Sequence, residues 1–304
     1  MTIQQCIYIQ KIAKVGSFNE AAKQLFVAQS SLSASVKALE QELGIKIFER
    51  ASNGVFLTDD GAEFVKYASC ISEYNSFIQE RYSSDKSCKR LNIVTQHYDF
   101  IADIFGKMLS ETEDDSYKFS LRETKTYEII HEVETSRSDI GIIAIKDSDD
   151  GVMKRYLDRK GIRFSPFIKA YPHVFLRKGH PLLRHTRLTY DQLRDYPYVS
   201  YEQGGKNISF FTEEITEEIN VGKHVEISDR ATLMNVLLLT DCYTIGTGIM
   251  PSKLNNGNIE SIPLESEAFY TIGYILRTDS KMTEPVCEFI ERLRLAAGNG
   301  TYNR

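Results

Sequence analysis

Along the first sixty residues, apolar side chains recur at steps of three and four, in short segments set almost end to end. Ile3, Ile7, Ile12 and Val15 predict a first helix that Gly16 ends. Ser17 opens a second, with Glu20 at the spacing of a capping box and Phe18, Ala21, Ala22 and Leu25 as its apolar face. Phe26-Val27-Ala28 leaves room only for a tight turn. In the third helix Leu32, Val36, Leu39 and Leu43 form one buried stripe, and Gly44 is its stop. Gln29, Ser30, Ser33 and Lys37 lie opposite that stripe.

Three short helices with a tight turn between the last two make a helix-turn-helix pattern. Small polar residues let the third helix enter a major groove, where Gln pairs with adenine, Ser meets a base or a phosphate and Lys37 adds charge near the backbone. A plain helical bundle with a solvated face fits the same pattern. The following segment favours the first reading. Ile45, Ile47, Phe48 and then Val55-Phe56-Leu57 predict two short strands around Asn53-Gly54, a hairpin wing that would lay Arg50 and its tip along the phosphates or the minor groove. Thr58-Asp59-Asp60 then caps a long helix from about 59 to 84. Its stripe of Phe64, Ala68, Ile71, Ile78 and Tyr82 suits the same helix of a second subunit, or else packing on its own chain. Ser83 to Ser87 reads as a short hinge.

From Arg90 the pattern changes to strands alternating with helices, which predicts parallel α/β architecture. Strands are expected at Leu91–Thr95, Phe119–Arg122 and Ile140–Ile145, with helices near 99–109 and 126–135. A second set comprises strands at Phe164–Lys169, His173–Arg177, Tyr198–Ser200 and Thr244–Gly246, with a helix near Ala231–Leu239. A strand at Tyr270–Arg277 returns to the first set, and a helix at Glu284–Ala296 closes the chain.

Formal charge sharpens this division. The 304 residues carry a net −5, but residues 1–58 hold +2 and the remainder −7, as suits a small anion-binding module on an acidic body. No basic segment followed by an apolar one marks secretion, and no apolar run approaches the roughly 18 to 20 residues of a membrane span. Five scattered cysteines without a C-x-x-C pair fit a reduced, cytoplasmic chain. Six scattered histidines give no metal spacing, and no hydrolase, P-loop or dinucleotide motif is present, so neither a metal, a cofactor nor a catalytic residue is expected. His180, next to Pro181, suits a turn.

The run EAAKQLFVAQSSLSASVKALEQELGIKIFER, followed by LTDDG, resembles the N-terminal domain of LysR-type transcriptional regulators. The A-A-x-x-L, Q-x-x-L-S, L-E-x-E-L-G, F-x-R and L-T-x-x-G elements stand at that family's spacing over about 45 residues. Two positions depart: Ala34 replaces a frequent Arg, and Ala28 replaces the Ser that usually caps the third helix. D-I-G-I-I at 139–143 and R-K-G-H-P-L at 177–182 extend the resemblance to the effector domain, which is similar to a small periplasmic binding protein.

The resemblance implies a winged helix-turn-helix at 1–58, a linker and dimerisation helix with its hinge at 59–88, and an effector domain at 89–304. Lobe one would hold 89–163 and 268–304, and lobe two 164–267. The expected DNA contacts are Ser17, Phe18, Gln29, Ser30, Ser31, Ser33, Lys37, Arg50, Asn53 and Thr58. The expected effector contacts, at strand ends and helix N-termini, are Thr95, Gln96, His97, Thr126, Ser200, Tyr201 and Thr247, with Gly246 and Gly248 nearby. Lys125, hydroxyls and helix N-termini suit a small anion or an amino-acid derivative. TQHYDF and RETKTYEIIHEV resemble a subgroup concerned with uptake of sulfur amino acids. The partners implied are double-stranded promoter DNA, a second copy in a dimer or tetramer, a small effector and RNA polymerase, without a membrane. A solute-binding protein or an enzyme on the same two-lobed body would have no use for a winged head.

Overall fold

The computed structural model describes residues 1–51, 54–81, 88–202, 211, 222–251 and 257–298. It divides into two compact units, Met1–Lys86 and Ser87–Arg304.

In the first unit α1 (Ile3–Val15), α2 (Phe18–Gln24) and α3 (Gln29–Leu43) precede a hairpin of β1 (Phe48–Ala51) and β2 (Gly54–Leu57), and α4 (Asp59–Arg81) follows. Thr2 and Gln5 form a full capping box on α1 that the periodicity did not reveal. At α2 the expected box is half made. Ser17 Oγ accepts from the Glu20 amide at 3.3 Å, but the Glu20 carboxylate accepts from Gln24 Nε2 at 2.9 Å, because its i+4 neighbour is the nearer donor. The stripe of α3 is buried at Leu32, Val36 and Leu39 against Ile9, Ile12, Phe18, Ala21, Ile47 and Phe48. Glu40 latches the wing to that helix by accepting from the Ile47 and Phe48 amides at 2.8 and 3.2 Å.

The start of α4 is fixed by the same wing. Thr58 Oγ1 donates to Lys46 O at 2.5 Å and accepts from the Gly61 amide at 2.9 Å. At Gly61 a Cβ would stand 2.1 Å from Ile47 O, so only glycine fits. The stripe of α4 divides along its length. Phe64 and Ala68 pack within their own unit, where Gln10 Nε2 donates to Ala68 O and Ser72 Oγ at 2.8 and 2.7 Å. Farther along, Ile78 is 54% exposed. Tyr82 and the expected hinge at 83–87 lie outside the described residues.

The second unit contains a five-stranded sheet in the order β4-β3-β5-β12-β6. Its strands are β3 (Lys89–Thr95), β4 (Tyr117–Glu123), β5 (Ile140–Lys146), β6 (Ile162–Ala170) and β12 (Tyr270–Arg277). The first three are parallel, and the returning β12 runs antiparallel between β5 and β6. One face is covered by α5 (Asp99–Glu111) and α10 (Glu284–Gly298), the other by α6 (Thr126–Glu134) and α7 (Asp150–Arg159). The expected start of lobe two at 164 is therefore corrected. It cuts through β6, whose Ile168 and Ala170 pack in the first lobe's core and whose backbone pairs with β12.

The second lobe is also less parallel than expected. β10 (Thr244–Gly246) and β11 (Ile259–Pro263) both pair antiparallel with β7 (His173–Arg177). β8 (Tyr198–Tyr201) and β9 (His224–Ile227) make a separate parallel pair. Among the described residues the lobe also contains the helices α8 (Tyr190–Leu193) and α9 (Arg230–Leu239). No helix among the described residues is long and apolar enough to cross a membrane.

Candidate DNA-reading face and effector cleft

The outer face of α3 presents Gln29, Ser30, Ser31 and Lys37 to solvent, with Ser33 half-buried. Gln29 Nε2 donates to Ser33 Oγ at 2.9 Å, one helical turn on, so the two side chains are held together on the face that the apolar stripe turns outward. Ala28 has no side-chain acceptor for the first turn, which leaves amide donors at that end open to an external anion. Three other expected contacts also have roles within the fold. Phe18 is a core residue, edge-on to Phe48 at 5.7 Å between ring centroids, because α2 needs it against the wing. The hydroxyls of Ser17 and Thr58 are engaged as helix caps. Asn53 and the side chain of Arg50 lie outside the described residues.

Within the second unit, a cleft lies between the two lobes. His97, Tyr98, Asp99, Ala144 and Tyr270 line it from the five-stranded side. Phe175, Tyr201, Leu233, Met234, Thr244, Ile245, Gly246, Thr247 and Ile249 line it from the other. Its walls are mainly apolar with a few polar groups, the character of a small-molecule site, and its enclosed space is about 60 Å³. The imidazole of His97 stacks on the Tyr201 ring at 3.9 Å between centroids and 11° between planes, joining the two walls.

Of the seven expected effector contacts, His97, Tyr201 and Thr247 line this cleft. Thr95, Gln96, Thr126 and Ser200 are buried and are not among its lining residues. Gln96 is fully enclosed: its amide donates to Thr126 Oγ1 at 2.6 Å, and its carbonyl accepts from the Ala144 amide at 2.7 Å and from the Tyr98 hydroxyl at 2.5 Å. It therefore ties β3 to β5 and α6, and Thr126 is buried as its acceptor. Ser200 is buried against His224 Nε2 at 2.7 Å. Thr95 is also buried, and its hydroxyl has no hydrogen-bond partner among the described residues. Lys125 is paired with Glu202, 3.1 Å away, and is not among the residues that line the cleft. At the N-terminus of α9 the anion is Asp229, which accepts from the Thr232 hydroxyl at 2.7 Å and the Thr232 amide at 2.9 Å, and these bonds hold its carboxyl below the usual range.

A second charged contact joins the two lobes, besides the Lys125–Glu202 pair. Arg230, the first residue of α9, contacts Asp99 at the start of α5 and Glu123 at the end of β4. Burial pushes the Glu123 carboxyl up, and the adjacent guanidinium only partly offsets this. Sequence periodicity missed Arg230, Glu123 and Asp99 because nothing local joins positions more than a hundred residues apart. It missed Phe175, Leu233 and Met234 because apolar residues on strands and helices look like core.

Comparison with known proteins adds a second, independent line. A model for the bacterial regulatory helix-turn-helix proteins of the lysR family matches residues 3–62. A model for the LysR substrate binding domain matches residues 114–297, more than half of the chain. The HTH-type transcriptional activator CmpR of Synechocystis is 20% identical over 298 residues, covering 94% of this chain and 92% of its own. The regulator SsuR of Burkholderia cenocepacia is 25% identical over 71% of this chain and 69% of its own. A crystal structure of full-length CbnR in complex with its target DNA shares the fold at a TM-score of 0.65, with 17% identity and coverage of 97% and 100% of the two chains.

Proposed function

The chain belongs to the LysR family of DNA-binding transcriptional regulators with an effector-binding domain, and from that premise we propose how its parts divide the work. Residues 1–58 read promoter DNA, 59–88 join subunits, and 89–304 bind a small effector, with β6 reassigned to the first lobe. The observation that carries this reading is the outer face of α3, where Gln29 and Ser33 are paired and Lys37 is exposed above a fully apolar inner stripe. Such a helix places an amide and hydroxyls at base edges and an ammonium near phosphate.

Two copies related by a two-fold axis would read an inverted repeat, with half-sites about 34 Å apart or a multiple of that. The exposed end of the α4 stripe at Ile78 supports pairing through that helix. The whole would act in the cytoplasm, with RNA polymerase as the downstream partner. The effector would sit in the cleft between the lobes, among Tyr98, Phe175, Leu233, Met234 and Tyr270. These walls suit a small molecule with an apolar body. A sulfur amino acid or a derivative has that character, in keeping with the subgroup resemblance. Effector control requires different affinities for two arrangements of the lobes.

The test is binding of the full chain to the intergenic DNA upstream of its own gene, in a salt series, beside Gln29→Ala and Ser33→Ala. Tight, sequence-selective binding that both variants weaken is expected. Equal affinity for any DNA at physiological salt would reject the reading. Target transcription that is the same with and without sulfur amino acids, in a deletion strain and its parent, would remove the effector class.

A further inference from the structure

The turn between α2 and α3 holds a residue for which the free fold has no use. Phe26 is 95% exposed, and its φ is +56°, a backbone region that bulky side chains seldom occupy. Its neighbours explain the backbone but not the ring. Leu25 and Val27 both pack against the core of the first unit, and the Phe26 and Val27 amides are tied to Lys23 O and Ala22 O at 3.2 and 3.0 Å. The chain must therefore turn sharply outward at position 26, where Asn or Gly would be accommodated with less strain and Asn would be better hydrated.

A large apolar ring that is both solvated and strained contributes nothing to the free fold, so its use is sought in a complex. The ring sits three residues before Gln29, beside the end of α3 that enters the groove in a helix-turn-helix. We propose that Phe26 belongs to the DNA-reading surface, its ring packing in the complex on an apolar part of the duplex, the deoxyribose carbons or a thymine methyl. This rests on α3 being the reading helix. The contact is uncharged, so it displaces no counterion and adds nothing to the salt dependence.

The experiment compares full-length wild type, Phe26→Asn, Phe26→Leu and Gln29→Ala on the upstream intergenic DNA, with a salt series, thermal melting and a promoter assay. Phe26→Asn is expected to melt at or above the wild-type temperature. Its dissociation constant should rise at least about fivefold, the low end for a groove contact. The slope of log affinity on log salt should not change, and Phe26→Leu should recover part of the loss. A lower melting temperature for Phe26→Asn would overturn the proposal, because the ring would then serve the fold. Intact DNA binding in Phe26→Asn, while Gln29→Ala is weakened, would overturn it and leave α3 as the reader. Intact binding with lost promoter output would assign the ring to a protein partner and equally overturn it. Should Gln29→Ala bind as well as wild type, the reading of α3 fails together with the inference built on it.

Discussion

The Arg230 guanidinium and the Glu123 carboxylate meet across the effector cleft, 3.0 Å from Nη2 to Oε1, although one begins α9 and the other ends β4. Glu123 Oε2 accepts from Arg230 Nε at 3.3 Å, whereas Oε1 is buried without a hydrogen-bond partner among the described residues. Both side chains are largely withdrawn from water, and Asp99 shares the same guanidinium. Such an arrangement joins the lobes while leaving the carboxylate incompletely compensated.

The raised Glu123 carboxyl sets a direction with pH. An acid whose folded pKa is raised contributes most to stability below its unfolded value of about 4.3, and that contribution is lost as pH rises through the folded value. Glu123→Gln removes the penalty while Arg230 keeps Asp99 as partner. The melting temperature of the variant should therefore exceed that of wild type at pH 7, with the difference closing below about pH 4. Melting across a pH series checks this.

Arg230→Ala should act in the opposite sense. It leaves Asp99 and Glu123 facing each other without a cation. Loss of one partner from a fully buried pair costs roughly 3–5 kcal/mol; the remaining exposure here lowers the expectation to about 1–3 kcal/mol. Denaturant titration gives the magnitude. Hydrogen exchange should show the added opening at the N-termini of α5 and α9.

His180 offers a separate handle. Its Nδ1 accepts from the Leu182 amide at 3.1 Å and its Nε2 lies 3.2 Å from Asp241 O, so the ring is neutral with the proton on Nε2. Burial lowers its pKa. A base depressed in the fold contributes stability above its unfolded value, about 6.5, and loses it as pH falls through the folded value. His180→Ala should cost about 1–3 kcal/mol at pH 7 through the orphaned Leu182 amide, and should flatten the stability slope on the acid side. Melting at pH 7.5 and pH 5 tests both parts.

Gly61→Ala should damage the first unit alone. The added Cβ would fall 2.1 Å from Ile47 O, and a backbone carbonyl cannot rotate aside as a side chain can. A loss of roughly 1–3 kcal/mol is expected, with the wing and the start of α4 loosened and DNA affinity reduced with them. Circular dichroism melts and binding curves, read together, check whether the two losses go in step.

The local chemistry of this chain was open to reading along its length. The bounds of α3, the uncapped Ala28, the Gly16 and Gly44 stops and the returning strand at Tyr270–Arg277 all follow from side-chain periods and turn preferences acting over a few residues. The outward Gln29–Ser33 face followed too, since a single apolar stripe leaves only one way for the helix to lie. Roles that depend on distant neighbours were not legible. Phe18 became core and Gln96 a buried tie because each met a partner supplied by another element, whereas the cap at Thr58 was legible. Strand β6 joined the first sheet rather than opening the second lobe because pairing is settled by which backbone edge lies alongside, here that of β12 more than a hundred residues away. The cleft, its apolar walls and the Arg230 bridge arise only when the lobes face each other. Sequence carries the type of each side chain and its local period, while enclosure and charge pairing are properties of the packed chain.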